Sequence, residues 1–385
     1  MDPLVRPRPG PLKRMGKAFN SRLRSPRLTS QVGLMLGVAF GVCFVTGFLS
    51  HAIQHPPSWF YWPSRPVDLY RVTQGLHVAT GLASIPLLAV KLWSVYPRLF
   101  SWPALRDPVK VIERVSVLVL VAVSLLQVLT GVLNIARWYS AMGFFFTVAH
   151  YWSAWAVIGS LLVHLGVKLP VVRRALTAKV RPVPATGSLT RRGLLAAMGA
   201  ASAAISVFTI GETFRPFAAI SVLAPRDPRV GSQGVPVNQS AVGAGVISAA
   251  THALYRLEVI GPARTLRLTV ADLNALSQST SDLPITCVEG WSAGATWSGV
   301  RLRDLVTAVG GDEGSRVTVT SLQQGSRYAS SVVDPPHARD PLTLLALRLN
   351  GETLDLDHGY PCRLIAPNRP GVLQTKWLQR VVVES

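Results

Sequence analysis

Two sets of residues in this 385-residue chain carry chemistry by type and spacing. The first is Cys287, which follows the apolar string Leu283-Pro284-Ile285-Thr286 and precedes Gly290. A thiolate at the end of a strand can serve as a soft metal ligand. Spacing alone does not separate that role from a cysteine buried as core. The second set is the histidines His77, His150 and His164, which lie inside long apolar runs, with His51 and His55 at the end of an earlier run. Ligating side chains within a membrane span are functional candidates by default. His77 lies five residues into its run and His150 six residues into another. Two imidazoles on facing helices can hold one haem iron axially. His150 and His164 are 14 residues apart, which is about 21 Å along a helix and nearly the same face. That interval suits two stacked haems.

Five apolar runs must position these histidines, at residues 31–50, 72–93, 115–136, 144–169 and 193–211. Each approaches the ~20 residues that cross a bilayer core. The fifth is Ala-rich and shorter, and it also fits a helix packed on a soluble domain. Basic residues alternate between the connections. Residues 1–30 carry Arg6, Arg8, Lys13, Arg14, Lys17, Arg22, Arg24 and Arg27, whereas the next connection has only Arg65 and Arg71. Arg98, Arg106, Lys110 and Arg114 follow run two, Arg137 alone follows run three, and Arg173, Arg174, Lys179, Arg181, Arg191 and Arg192 follow run four. The positive-inside rule then places the N-terminus in the cytoplasm and the last 170 or so residues outside it, if run five spans.

Composition agrees with a bilayer partner. Hydrophobic residues make up 49% and charged residues 15%, with mean hydropathy +0.33. Soluble domains are typically about 25% charged, and disorder needs low hydrophobicity. The net charge of +20 is compatible with nucleic acid, but its distribution accounts for it as topology, so no nucleic-acid partner is required. Three cysteines exclude a disulfide scaffold.

Run five opens with Thr190-Arg191-Arg192-Gly193-Leu194-Leu195. A pair of arginines before a mildly apolar helix is a twin-arginine export pattern, here internal to the chain. Ordinary inside-facing charge explains the same pair. From about residue 235 the pattern changes to alternating segments such as 254–259 and 316–320, separated by Gly, Pro and Asp turns. Residues 300–306 read as a short helix, and 212–234, with several Pro, Arg and Gly, as a linker. About 150 residues of mixed α+β are enough for one core.

The membrane half, about residues 28–170, resembles the four-helix di-haem cytochrome b subunits of membrane formate dehydrogenases, hydrogenases and related respiratory enzymes. The likeness rests on His77, His150 and His164. In that family an inner haem takes its other histidine from the start of the first helix, where this chain has Gln31, Val32 and Gly33. The resemblance therefore implies an outer haem b on His77 and His150, and leaves His164 without its usual partner. His51 is an alternative ligand to His77 or a neighbour of a quinol.

The soluble half carries Thr286-Cys287-Val288-Glu289-Gly290-Trp291-Ser292, then Trp297-Ser298-Gly299-Val300. Further on stand His358-Gly359-Tyr360-Pro361-Cys362-Arg363-Leu364, Pro367, Gly371 and Lys376-Trp377-Leu378. These two motifs resemble the molybdenum-binding segments of the sulfite oxidase family, in particular its bacterial branch that includes the molybdenum subunit of periplasmic methionine-sulfoxide reductase. The resemblance implies that Cys287 is the single protein thiolate on molybdenum held by molybdopterin. Arg363 and Lys376 would hold the pterin and its phosphate, and the backbone from Gln374 through Thr375 to Lys376 would add amide contacts. His358 stands where some relatives have Asn, Ser321 matches a Thr contact, and Asn238 matches an upstream Asn. Cys362 reads as structural, with a Cys287–Cys362 disulfide as the alternative outside the cytoplasm. Arg327, His337 and Arg339 are candidates for a substrate-pocket rim.

The expected architecture is a membrane α-helical bundle of four spans plus a fifth anchoring span, followed by an α+β sulfite-oxidase-like molybdopterin domain. Its segments are 1–30 (basic, cytoplasmic), 31–170 (cytochrome b-like), 171–192 (basic, with the arginine pair), 193–211 (fifth helix), 212–234 (linker) and 235–385 (molybdopterin domain). The expected function is oxygen-atom transfer on a small donor or acceptor, with electrons passing through haem b to or from a membrane quinone, at the cell membrane. A membrane-anchored binding protein that has lost its metal is the reading from another class.

Overall fold

The computed structural model describes residues 23–99, 108–178, 190–224 and 226–384. Of the basic residues used to infer topology, Arg6, Arg8, Lys13, Arg14, Lys17, Arg22, Arg106, Lys179 and Arg181 lie outside the described residues. Five long helices come first: α1 (Pro26–Gln54), α2 (Leu69–Leu99), α3 (Pro108–Ile135), α4 (Phe146–Thr177) and α5 (Arg191–Ile210). Each has a stretch long and apolar enough to cross a membrane. The first four extend several residues beyond the apolar runs, because the hydrogen-bonded ladder continues into flanking polar residues. Large apolar side chains on their outer faces are exposed, among them Val38, Leu118 and Leu162, as a lipid-facing surface requires.

The chain divides into two compact units, and the division cuts through α1, α2 and α5. One unit holds residues 1–45 and 79–206, the other 46–78 and 207–385. Within the first, α3 packs on α4. Leu28, Val32 and Leu36 of α1, Leu87 and Leu88 of α2, and Met198 of α5 form one apolar cluster. The Ser202 and Ser206 hydroxyls of α5 donate to the carbonyls of Ala83 and Ala79. So α5 packs on α1 and α2, which settles the alternative of a helix lying on the soluble domain.

The second unit is built on two sheets. The first has strand order β2-β1-β10-β5-β6, from β1 (Leu257–Ile260), β2 (Thr265–Leu268), β5 (Arg316–Ser321), β6 (Ser330–Val333) and β10 (Leu378–Glu384). The second runs β3-β4-β7-β8, from β3 (Gln278–Thr286), β4 (Ser292–Arg301), β7 (Leu344–Leu349) and β8 (Glu352–Thr353), with β9 (Arg363–Ile365) paired to β7. The alternating residues Leu257, Val259, Val317, Val319, Val381 and Val383 all face one buried cluster. A bulge between β4 and β7 lies at Ser298/Gly299. A Cβ on Gly299 would collide there with the Leu345 carbonyl, which explains the glycine.

Three local readings shift. The ladder begins at Leu257, not residue 254, because Tyr255 sits in a turn closed on His252. Val300 and Arg301 finish β4, and the helix they were expected to open runs Leu302–Ala308. Residues 212–234 are not merely a linker: they include 3-10 turns at Arg215–Ile220 and Ser232–Gly234, and Glu212 and Thr213 are buried. Leu257 is fully buried in the first-sheet cluster. Leu257→Ala should cost about 2–5 kcal/mol, measured as a lower thermal midpoint of the purified full chain.

Candidate molybdenum and haem sites

Cys287 sits in the five-residue turn that joins β3 to β4, between the paired residues Thr286 and Ser292. Its amide donates to the Trp291 carbonyl at 2.9 Å, and the Gly290 amide donates back to the Cys287 carbonyl at 3.1 Å. Gly290 has φ +108, which an L side chain rarely adopts. The thiol is buried, and Asn238 Nδ2 lies 3.0 Å from its sulfur. Burial pushes the thiol up to about 12, helped by the Glu289 carboxylate. A bound metal would reverse that preference and hold the sulfur as thiolate. Among the described residues no group of three or more His, Cys, Asp or Glu could hold a metal ion. Cys287 and Cys362 are both free thiols. The alternative disulfide does not form, because Cys362 is fully buried in the apolar cluster of the other sheet.

The tail motif gathers cations, buried at Arg363 and half-buried at Lys376. Arg363, on β9, is 1% exposed. It donates to the carbonyls of His358 at 3.0 Å and Gln374 at 3.2 Å, and lies over the Trp297 ring at 5.0 Å. Its Nε is buried without a hydrogen-bond partner. Burial lowers its guanidinium to about 9. Lys376 donates to the carbonyls of Gln239 at 3.0 Å and Asp357 at 2.6 Å. Burial, then the Arg363 charge, lowers it to about 7. Gln239, whose carbonyl accepts from Lys376, follows Asn238, which donates to the Cys287 sulfur, so consecutive residues join the two motifs. Arg369 is buried as well, with Nη1 unpaired. Among the described residues the hydrogen bonds of Arg363 and Lys376 go to carbonyls, a donor pair whose chemistry suits an anion.

The remaining expected residues divide by role. The Gln374 side chain is held by the backbone of Ala366, at 2.8 Å to both its N–H and its carbonyl, so it clamps β9. The Thr375 hydroxyl pairs with Ser331 at 2.7 Å. Ser321 donates to the Lys376 carbonyl at 2.8 Å and so positions the lysine backbone. His358 is buried with Nε2 2.6 Å from the Ser232 carbonyl, and burial lowers it to about 4, so it is neutral. Of the rim candidates, Arg327 and Arg339 are exposed. His337 is instead buried, with Nε2 unpaired, because the short helix Pro335–Ala338 turns it inward. Sequence reasoning did not single out Glu212, Glu289, Arg226 or Tyr328. Glu212 is buried near Glu289, and burial followed by that carboxylate raises it to about 8. Tyr328 lies within electrostatic reach of Cys287. Only Glu289, inside the quoted motif, carried a sequence signal.

The histidines form separate arrangements. The Thr46 hydroxyl lies 3.1 Å from His77 Nδ1, and a Cβ on Gly47 would come within 3.0 Å of the same ring. The Thr130 hydroxyl lies 3.0 Å from His150 Nδ1, with Gly131 beside that ring. Each case combines a Thr-Gly pair with a histidine of the next long helix. Engagement of Nδ1 by a hydroxyl presents Nε2 to a metal, and a glycine leaves room beside the ring, so both fit axial haem ligation. His77 lies eight residues beyond Leu69 and His150 four beyond Phe146, a less even depth than the apolar runs implied. His51 packs against His55, ring centroids 4.8 Å apart. His164 has a buried, unpaired Nδ1, and the charges of Lys91, Lys168 and Glu113 reach it.

Lys376 loses its proton as pH rises through about 7. An anion binds the charged form, so occupancy should raise this value and take up a proton. Cofactor loading of the apo-protein should therefore weaken between about pH 6 and about pH 8 relative to a Lys376→Met variant, which lacks that titration. Equal pH dependence in the two proteins would remove Lys376 from the anion site.

A family model described as an oxidoreductase molybdopterin-binding domain matches residues 244–385. The mitochondrial sulfite oxidase of Drosophila melanogaster is 33% identical over 154 residues, covering 34% of this chain and 27% of that protein. A candidate protein-methionine-sulfoxide reductase subunit, YedZ1, of Azospira oryzae is 33% identical over 132 residues, covering 34% of this chain and 49% of that protein. The NAD(P)H nitrate reductase of Hordeum vulgare is 37% identical over 110 residues, 24% of this chain and 12% of that protein. The chain thus spans less than half the length of these relatives. Residues 244–385 are thus similar to oxidoreductase molybdopterin-binding domains, and five helices long and apolar enough to cross a membrane precede them.

Proposed function

We propose that this chain is a membrane-bound molybdenum oxidoreductase that transfers an oxygen atom to or from a small substrate such as a sulfoxide, an N-oxide or a sulfite-like anion. The observation that carries this reading is the pairing of a buried thiol, Cys287, with the buried Arg363 and the half-buried Lys376, whose hydrogen bonds go to carbonyls. Removal of one oxygen atom as water consumes two electrons and two protons, and the reverse reaction releases them. Molybdenum held by molybdopterin supplies the two-electron oxygen-transfer chemistry when bound. The protein's part is to bind, orient and exclude water. Cys287 would ligate the metal, with Asn238 donating to its sulfur. Arg363 and Lys376 would hold the anionic pterin, and Gln374, Thr375, Ser321 and His358 fix the backbone around them. The sulfoxide reading draws on the name of the Azospira oryzae relative, and the sulfite reading on that of the Drosophila melanogaster enzyme.

His77 and His150 would carry one haem b, and a membrane quinone or quinol would exchange electrons with it. His164 would matter only with a second haem, since Gln31, Val32 and Gly33 stand where its usual partner would be. The N-terminus would face the cytoplasm and the C-terminal domain the opposite side. The cofactor is inserted before export, so the domain would cross folded, with Arg191 and Arg192 as the export signal ahead of a helix of modest hydropathy.

Three outcomes test this reading. Purified protein should contain molybdenum, and Cys287→Ser should lose most turnover with sulfoxides, N-oxides or sulfite, since a hydroxyl is a poor substitute for a thiolate. Unchanged turnover in that variant would sink the proposed chemistry. His77→Ala and His150→Ala should each abolish low-spin haem b absorbance in redox difference spectra, and retention of full absorbance in both would refute the ligand assignment. Replacing Arg191 and Arg192 with lysine preserves charge. It should leave the C-terminal domain protected from external protease if the pair is an export signal, and normal external exposure would count against export.

A further inference from the structure

The turn that carries Cys287 is held by two helix ends of the same compact unit. Gln74 of α2, 5% exposed, donates from Nε2 to the Val288 carbonyl at 2.9 Å. A Cβ on Gly290 would come within 2.9 Å of Val78 Cγ2. From beyond α5, the Thr213 hydroxyl donates to the Gly290 carbonyl, and the Ser292 amide donates to the Glu212 carbonyl at 2.8 Å. Arg71 Nε closes the ring by donating to the Thr213 carbonyl at 2.9 Å. His77 lies in the middle of this contact, three residues after Gln74 and one before Val78. The polar link from the His77 helix to Cys287 is one side chain, one hydrogen bond and one peptide unit.

Electron exchange between two redox groups weakens steeply with the gap between them and is stronger through bonded links than across packing gaps. We propose that Gln74 is a positioning residue that couples the redox group on His77 to the one on Cys287, by holding the Cys287 turn against α2. The proposal rests on the function proposed above. Each passage oxidises ferrous haem to ferric and delivers one electron to the molybdenum site. Two passages, with two protons from water, match the removal of one oxygen atom as water. Quinol is the reductant that restores the haem.

The test uses the full-length, cofactor-loaded protein with Gln74→Met, which keeps side-chain length and removes the donor. Gln74→Glu replaces it if the first variant fails to load haem or molybdenum. Thr73→Val is the control, since the Thr73 hydroxyl donates to the Tyr70 carbonyl within α2. Haem absorbance and molybdenum content should match the wild type. Reoxidation of pre-reduced haem on mixing with substrate, and quinol-driven turnover, should slow several-fold. Turnover driven by a reduced viologen, which feeds the molybdenum domain directly, should fall much less. Unchanged haem reoxidation would overturn the proposal, as would an equal fall in quinol- and viologen-driven turnover, which marks a merely structural role. Wild-type protein without haem or molybdenum would instead reject the underlying function.

Discussion

Positive charge buried without negative charge is the constraint on which the C-terminal domain depends. Arg363 and Arg369 are nearly inaccessible, and Lys376 is half-buried beside Arg363. Their hydrogen bonds go to carbonyls, and no carboxylate forms a salt bridge with any of the three among the described residues. Desolvating such groups costs several kcal/mol each, and dipoles offset only part of it. A fold that keeps them must recover the cost from a ligand. The rest follows from that need. β9 exists to bring Arg363 under Trp297, and Gln374 ties β9 to the segment that carries Lys376. Ser321 pins the Lys376 backbone from the neighbouring sheet. An anionic ligand bound there would recover part of that cost.

The same logic separates the two kinds of candidate centre. The molybdenum site is built from charge and from one thiol, so its parts come from both sheets and from distant stretches of sequence. The haem candidates are built from a hydroxyl and a glycine beside each imidazole, repeated as Thr46-Gly47 with His77 and Thr130-Gly131 with His150. That recurrence is a spacing of residue types on consecutive long helices, and it needs no long-range closure.

Legibility in the sequence followed this difference. The five helices were readable because bilayer thickness fixes the length of an apolar run. Cys287, Arg363 and Lys376 stood out as candidates because their motifs are local strings. The roles of Gln374 and Ser321 were not, since a side chain's partner depends on strands paired far along the chain, and both turned out to hold backbone. The strand start at Leu257 was missed because alternation of residue types persists into a turn that makes no ladder. Glu212 was taken as linker because prolines and glycines dominate its neighbourhood. Its burial arises only when β3 and β4 present the Cys287 turn to it. Gln74 is invisible for the same reason, as a polar residue in a span that reads equally well as a lumen contact.

The loop between α1 and α2 has a consequence for modularity. It belongs to the compact unit of the C-terminal domain. Arg65 forms a two-point ion pair with the buried Asp340, and Trp62 donates to the Asn368 carbonyl. The Asn368 side chain accepts from the Tyr70 amide and donates to the Pro63 carbonyl. Natural recombination that moved the last 170 or so residues alone into another gene would strand Asp340 and Asn368 without these partners. A viable exchange must carry the hairpin of helix ends with it, so the heritable unit here is discontinuous in sequence and is inherited as a pair of segments.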